Sequence, residues 1–222
     1  MKLSILMPVF NEAPTIVEII ERVKAVPLEK EIVLVNDASS DGSGHILDKL
    51  IGADIVVLHH PINRGKGAAI RTGLKAATGE VVVIQDADLE YDPNDFPRLM
   101  QPIINGQTDV VYGVRSLATQ RPIMRLGNNF LTLITNLLYN SQLKDMETCY
   151  KMMRRSIALS LDLECRRFDV EAEISAKLLR GQHQVVELPI SYTARYENKK
   201  LSPTDGLPAL QALWKYRNWK PR

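Results

Sequence analysis

Val81-Val82-Val83-Ile84-Gln85-Asp86-Ala87-Asp88 is the stretch on which the reading of this chain turns. Four consecutive β-branched residues are too apolar for a strand with one wet face, so they read as a strand buried on both sides. The run then meets two carboxylates separated by one residue. Carboxylates that close to a buried strand repel each other unless a cation lies between them. A hard divalent ion takes oxygen ligands of this kind. A solvated acidic turn ahead of Pro93 would carry the same letters; the position at a strand end favours a site.

The pattern repeats outward from this run. Strands are expected at 3–9, 31–36, 55–58, 81–85 and 109–112, alternating with helices at 15–26, 44–51, 66–77 and 93–104. Such alternation predicts an α/β fold, a mostly parallel doubly wound sheet flanked by helices. Ligands of these sheets bind beyond the carboxyl ends of the strands. The polar residues fall there: Asn11 and Glu12 after the first strand, Asp37 and Asp41 after the second, Asp86 and Asp88 after the fourth, Arg115 after the fifth. Asn11 or Ser39 would also serve as a helix cap.

Asn63-Arg64-Gly65-Lys66-Gly67 opens a helix, and its glycines would let backbone approach a ligand at an anion-attracting helix start. It fits neither the P-loop nor the dinucleotide fingerprint, because position 70 is Ile. Beyond Arg115 the alternation stops. A helix is expected over 121–139, with Leu126, Phe130, Leu133, Ile134, Leu137 and Leu138 on one face. That face is read as one that can lie in a membrane interface, against the alternative, expected for at least half of its apolar residues, of packing in the core. A helix over 169–180, a strand pair at 184–188 and 191–194, and a helix over 208–216 complete the reading.

Composition narrows the partners. Of 222 residues 45% are hydrophobic and the formal net charge is +2, so binding of nucleic acid is not expected. The charge is uneven: from Arg195 onward seven Lys/Arg face two Asp/Glu, +5, leaving −3 for the remainder. A local anionic partner follows from that basic tail. Cys149 and Cys165 have no metal-ligand spacing and read as structural thiols. His45, His59, His60 and His183 read as packing or surface residues, and Met152-Met153 as core. No apolar run approaches the ~20 residues that span a bilayer. The expected location is cytoplasmic, peripheral on the cytoplasmic face of the membrane. The ending Leu213-Trp214-Lys215-Tyr216-Arg217-Asn218-Trp219-Lys220 mixes aromatics and cations as interfacial anchors do.

Taken together, PVFNE, VNDASSDG, NRGKGAA and QDADL, in that order, resemble family 2 glycosyltransferases with the GT-A fold, a Rossmann-like sheet in a single domain. The second half is similar to the polyprenyl-phosphate branch, the dolichyl-phosphate mannose or glucose synthases. That narrower likeness rests on Arg125, on Asp145-Met146-Glu147-Thr148-Cys149-Tyr150-Lys151, on Arg167-Phe168-Asp169-Val170-Glu171, and on Ala194-Arg195 with Lys199-Lys200. The resemblance implies a nucleotide-sugar half, 1–115, and an acceptor half, 116–222, within one domain spanning 1–222. It implies that Pro8, Val9, Asn11, Glu12, Asp37, Lys66, Asp86, Ala87 and Asp88 hold a GDP- or UDP-hexose. Asp86, Asp88 and Glu90 would hold Mg²⁺ or Mn²⁺; the family often carries an amide at the last position. Arg115, Arg125, Arg195 and one of Lys199 or Lys200 would hold the acceptor phosphate of a polyprenyl phosphate.

The implied chemistry is an inverting displacement through an oxocarbenium-like transition state, catalysed through Asp88, Arg115 and Asp145. A phosphate acceptor has a second pKa of about 6, so it needs no strong base. A sugar or protein hydroxyl acceptor would need one, and Asp145 is the candidate. A nucleotide-sugar-binding protein without turnover is the remaining alternative. A nucleotidyltransferase would want a glycine-rich loop after the first strand, which is absent.

Overall fold

The apolar runs become strands because both of their faces are covered. Val81, Val82, Val83 and Ile84 are all at most 4% exposed. The computed structural model describes residues 1–50, 52–195 and 206–221. In chain order its elements are β1 (Leu3–Val9), α1 (Ile16–Ala25), β2 (Lys30–Asn36), α2 (Ser43–Asp48), β3 (Ile55–His59), α3 (Lys66–Ala76), β4 (Val81–Ile84), α4 (Phe96–Ile104) and β5 (Val110–Arg115). Then follow α5 (Pro122–Tyr139), β6 (Lys151–Arg154), α6 (Arg155–Ser160), α7 (Val170–Arg180), β7 (Val185–Ile190) and α8 (Gly206–Tyr216). The expected helix at 93–104 begins as a 3-10 turn, Pro93–Asp95, whose cap Asp92 accepts the Asn94 N–H at 3.0 Å.

The seven strands form one sheet in the order β3-β2-β1-β4-β6-β5-β7. All run parallel except β6, which pairs antiparallel with both β4 and β5. The order reverses direction at β1 and β4, and the crevice outside their carboxyl ends is where such sheets bind ligands.

Three expectations need correction. The helix at 44–51 ends at Asp48, and Ile51 lies outside the described residues. The segment 191–194 is no strand; it makes one isolated bridge, Tyr91 to Tyr192. Strand β6, with the short helix after it, was not expected, because a strand carrying Lys151 does not read as central. Lys151 is nonetheless fully buried, its ammonium donating to the Met146 and Thr148 carbonyls at 2.7 and 2.6 Å. It also lies over the Tyr112 ring, so its charge is solvated by carbonyls and an aromatic face.

The opposite ends of the strands are stapled by Glu31. Its carboxylate accepts from Ser4 Oγ at 2.5 Å, Thr78 N at 2.6 Å, Thr78 Oγ1 at 2.7 Å and Lys2 Nζ at 2.9 Å. Burial alone would raise its pKa, but these donors win and hold it at about 2. A depressed carboxylate pKa stabilises the fold above its unfolded value of about 4.3. That contribution is lost as pH falls from about 4.3 through about 2. Glu31→Gln is therefore expected to lose on the order of 2 kcal/mol at pH 7 and to flatten that part of the acid-denaturation profile, as measured by chemical denaturation from pH 7 to 2.

Candidate active site

Loops leaving β1, β2 and β4 each contain a non-glycine residue in the left-handed region: Asn11 at φ 50°, Ala38 at 59° and Leu89 at 65°. Such backbone costs about 1–3 kcal/mol per residue and persists where the surroundings impose it. These turns aim Asp37, Asp86 and Asp88 into a cavity of about 830 Å³ beyond the strand ends.

Asp37 is fixed from three sides. It accepts the Arg64 and Gly65 N–H groups at 2.9 and 2.7 Å, and lies 2.6 Å from His60 Nδ1. His60 reaches on to Thr72 Oγ1 at 2.9 Å, so this histidine, read in the sequence as plain packing, orients a cavity carboxylate. Lys66, the first residue of α3, bridges two acids: Asp86 Oδ1 at 2.8 Å and Glu171 Oε1 at 2.6 Å. Among the described residues no ammonium bridges Asp88 in this way, and the charge of Arg195 favours its ionised form. Burial, with Asp86 and Glu90 alongside, pushes its carboxyl up to about 7.

The glycines flanking Lys66 make a contact the sequence reading did not foresee. Each faces protein: a Cβ on Gly67 would lie 2.5 Å from the Cys165 carbonyl oxygen, and one on Gly65 would collide with that of Arg166. Ala68 N–H donates to the Arg166 carbonyl at 3.2 Å. The close approach expected for a ligand is made by the 165–167 backbone, which carries Arg167, Phe168 and Glu171 to the cavity wall.

The second half supplies the remaining side. Asp145 is 1% exposed and clamps Arg115 through two bonds, Nε to Oδ2 at 2.7 Å and Nη2 to Oδ1 at 2.8 Å. Asn128 Oδ1 takes a further bond from Arg115 Nη2 at 2.7 Å, and the Tyr192 ring lies under the guanidinium. Burial pushes the Asp145 carboxyl up, but Arg115 outweighs it and holds the pKa below the usual range. Arg195 forks onto Glu12 at 2.9 and 3.2 Å. Glu90 ties down the chain after β7, accepting Tyr192 Oη–H and Arg195 N–H, both at 2.8 Å.

The structure brings most of the expected residues together. Pro8, Val9, Glu12 and Asp37 line the cavity beside Lys66, Asp86, Ala87 and Asp88, and Glu90, Arg115 and Arg195 face it too. Asn11 is not among the lining residues; its Oδ1 accepts the Ser40 N–H at 2.8 Å, and Phe10 lines the wall in its place. Arg125 is exposed on α5 and Asp145 lies behind Arg115, both off the cavity surface. Lys199 and Lys200 lie outside the described residues. Glu90 is committed to its tether, and among the described residues no three His, Cys, Asp or Glu side chains form a metal cage. The carboxylates on offer to a cation are thus Asp86 and Asp88.

The model of the family described as glycosyl transferase family 2 matches residues 4–161. The chain belongs to that family. The transferase is also similar in structure to glucosyl-3-phosphoglycerate synthase of M. tuberculosis, at 18% identity and a TM-score of 0.78, covering 98% of this chain and 81% of that one. The same synthase in complex with phosphoglyceric acid gives a TM-score of 0.79 at 18% identity, with 98% and 80% covered. Its complex with Mn²⁺, UDP and glucosyl-3-phosphoglycerate gives 0.78 at 18%, with the same coverages. The shared architecture is the GT-A fold.

Several residues at the transferase's cavity were not singled out as site residues: Tyr91, Glu147, Cys149, Phe168, Glu171 and Tyr192. Glu147 and Glu171 carried a usable signal, being acids inside the two second-half motifs quoted above. Burial, then the neighbouring charge of Glu171, pushes the Glu147 carboxyl up to about 7. Gly67→Ala is expected to cost about 1–3 kcal/mol by forcing α3 away from residue 165, measurable by urea denaturation. Asp145→Asn should cost about 3–5 kcal/mol by stranding buried Arg115, while leaving the acidic limb of the pH–rate profile in place.

Proposed function

We propose that this transferase moves a hexosyl group, glucose or mannose, from a UDP- or GDP-sugar to a polyprenyl phosphate at a membrane surface, with inversion. The observation that carries the acceptor is the inverted polarity of α5. Its buried face is mostly polar: Asn128, Thr132 and Thr135 join Leu131 there. Its outer face bears Ile123, Leu126, Phe130, Leu133 and Leu137, exposed by 58, 66, 49, 55 and 71%. The spacing 3, 4, 3, 4 makes these one straight stripe. The stripe begins inside the cavity, where Ile123, Leu126 and Phe130 line the wall. Four of the six residues read as one apolar face are therefore exposed, against the expectation that half or more pack in the core. Among the described residues no helix is long and apolar enough to cross a membrane. An apolar stripe leading into a charged cavity suits a ligand with a lipid tail and an anionic head. On α8, Leu207 and Trp214 are also exposed, and Arg217 stacks on the Trp214 ring.

Asp86 and Asp88 suit a divalent cation by their chemistry: two carboxylates at one strand end, with oxygen donors only. When bound, Mg²⁺ or Mn²⁺ supplies positive charge against the leaving diphosphate. The chain's own residues do the rest. Lys66 holds Asp86 in place, and Asp37 with Pro8 and Val9 forms the wall for the base and ribose. Arg115, fixed by Asp145, and Arg195 present cationic charge to the attacking phosphate. Asp145 orients Arg115 and is not a base, in keeping with an acceptor that arrives deprotonated.

A second reading has its own support. The similar structures include a synthase bound to phosphoglyceric acid, so a small phosphorylated acceptor is the competitor. Incubating the protein with nucleotide sugars, Mn²⁺ and either polyprenyl phosphate in vesicles or 3-phosphoglycerate separates the two. A glycolipid product is expected. Transfer to 3-phosphoglycerate alone would replace the lipid reading, and donor binding without transfer to either would leave a binding protein. Asp88→Asn is expected to lower turnover roughly 10²-fold or more, with chelation by EDTA giving a comparable loss in wild type. Leu133→Ser with Leu137→Ser lies away from the cavity wall. At about 1.5 kcal/mol per leucine it should weaken sedimentation with vesicles roughly 10²-fold and leave thermal stability unchanged.

A further inference from the structure

Two acids in the cavity have no task in the scheme above. Glu171 is the second residue of α7 and is 5% exposed. An acid there suits the helix dipole, and its Oε1 is held by Lys66 at 2.6 Å. Among the described residues, however, its buried Oε2 has no hydrogen-bond partner, and neither has the buried Oε1 of Glu147. A buried carboxylate oxygen left unpaired forfeits its hydration, a penalty of about 1–3 kcal/mol or more, and two in one wall call for donors from a ligand. Neighbouring Glu173 makes the contrast: it accepts the N–H groups of Glu164 and Cys165, both at 2.8 Å, and pairs with Lys177 at 2.7 Å.

Their position narrows the ligand. Glu171 is joined through Lys66 to Asp86, on the donor side. Glu147 follows Asp145 by two residues and sits beside the Arg115 clamp, on the acceptor side. The group that passes from donor to acceptor must lie between them. The cavity is acidic: Glu12, Asp37, Asp86, Asp88, Glu90, Glu147 and Glu171 face Lys66, Arg115, Arg167 and Arg195, seven carboxylates to four cations among the described lining residues.

We propose that Glu147 and Glu171 form the recognition site for the transferred sugar, their unpaired oxygens accepting two hydroxyls of a neutral hexose and repelling any sugar that carries a carboxylate. This rests on the donor reading given above. It adds a specificity: uronic acid donors are excluded by like charge, and hexoses with two free neighbouring hydroxyls are selected.

The test is calorimetric titration of the full chain, in Mn²⁺, with UDP, UDP-glucose, UDP-glucuronate, GDP, GDP-mannose and GDP-mannuronate. In the wild type one neutral sugar nucleotide should bind at least about 10-fold tighter than its uronate, the scale of one hydrogen bond to a charged group. Glu147→Gln and Glu171→Gln keep the shape and replace an acceptor oxygen by an N–H donor. Glu147→Gln should weaken the neutral sugar nucleotide about 10-fold, close the gap to the uronate, and leave the parent nucleoside diphosphate within about 2-fold; Glu171→Gln, which also releases Lys66 from one of its two acids, should close the same gap. Glu147→Asp, which keeps the charge, should restore discrimination in part. Weakening of UDP or GDP by the same factor would mark a structural role and overturn the proposal. So would unchanged discrimination, or a loss confined to kcat with the acidic limb of the pH–rate profile missing, which would make Glu147 a general base. If no nucleoside diphosphate binds at all, the donor reading falls and this proposal falls with it; binding of the diphosphate with discrimination untouched overturns this proposal alone.

Discussion

Three cations hold the two halves of the chain together across one cavity. Lys66 belongs to the first half and reaches Glu171 in the second. Arg115 ends the last strand of the first half and is clamped by Asp145. Arg195 comes from the second half and forks onto Glu12 beyond the first strand. Each pair is partly or wholly buried, so each of these carboxylates would be stranded without its partner from the other half. The site and the packing of the halves are therefore a single electrostatic problem. Asp88 and Glu147 stand outside these pairings, and burial disfavours the charge of both; Asp88 faces the same space as Asp86.

Helix α5 depends on the same arrangement. Its inner face is polar because it must supply Asn128 to Arg115 and Asp145, and Thr132 to the Met146 N–H at 3.2 Å. Apolar residues displaced from that face have only the outside left. The polarity that completes the clamp and the polarity that leaves a greasy surface are two sides of one helix.

Much of this was legible in the sequence, where the signal is local. The first half alternates strand and helix with unbroken apolar runs, and Asp37, Asp86 and Asp88 stand one, two and four residues past strand ends, so topology alone delivers them to one crevice. What escaped detection depends on partners far along the chain. The space beside Gly65 and Gly67 is filled by backbone from residues 165 and 166, a hundred positions away. Lys151 hides a strand because the carbonyls that solvate its charge come from the preceding turn, which no periodicity registers. His60 is indistinguishable from His59 by composition, yet one is buried on Asp37 and the other pairs with Asp48 nearer the surface. The face of α5 was read correctly as apolar, but its division between core and surface was not legible, since amphipathicity gives a direction and not a sign.

The left-handed turns at Asn11, Ala38 and Leu89 carry an evolutionary consequence. At Ala38 and Leu89 glycine would relax the backbone, and single substitutions of that kind are readily reached. A lineage selected for thermal robustness alone would drift toward glycine at those two places. It would keep the sheet and slacken the loops that aim Asp37 and Asp88. The strain is thus a record of selection for something other than stability, legible without knowing the substrate.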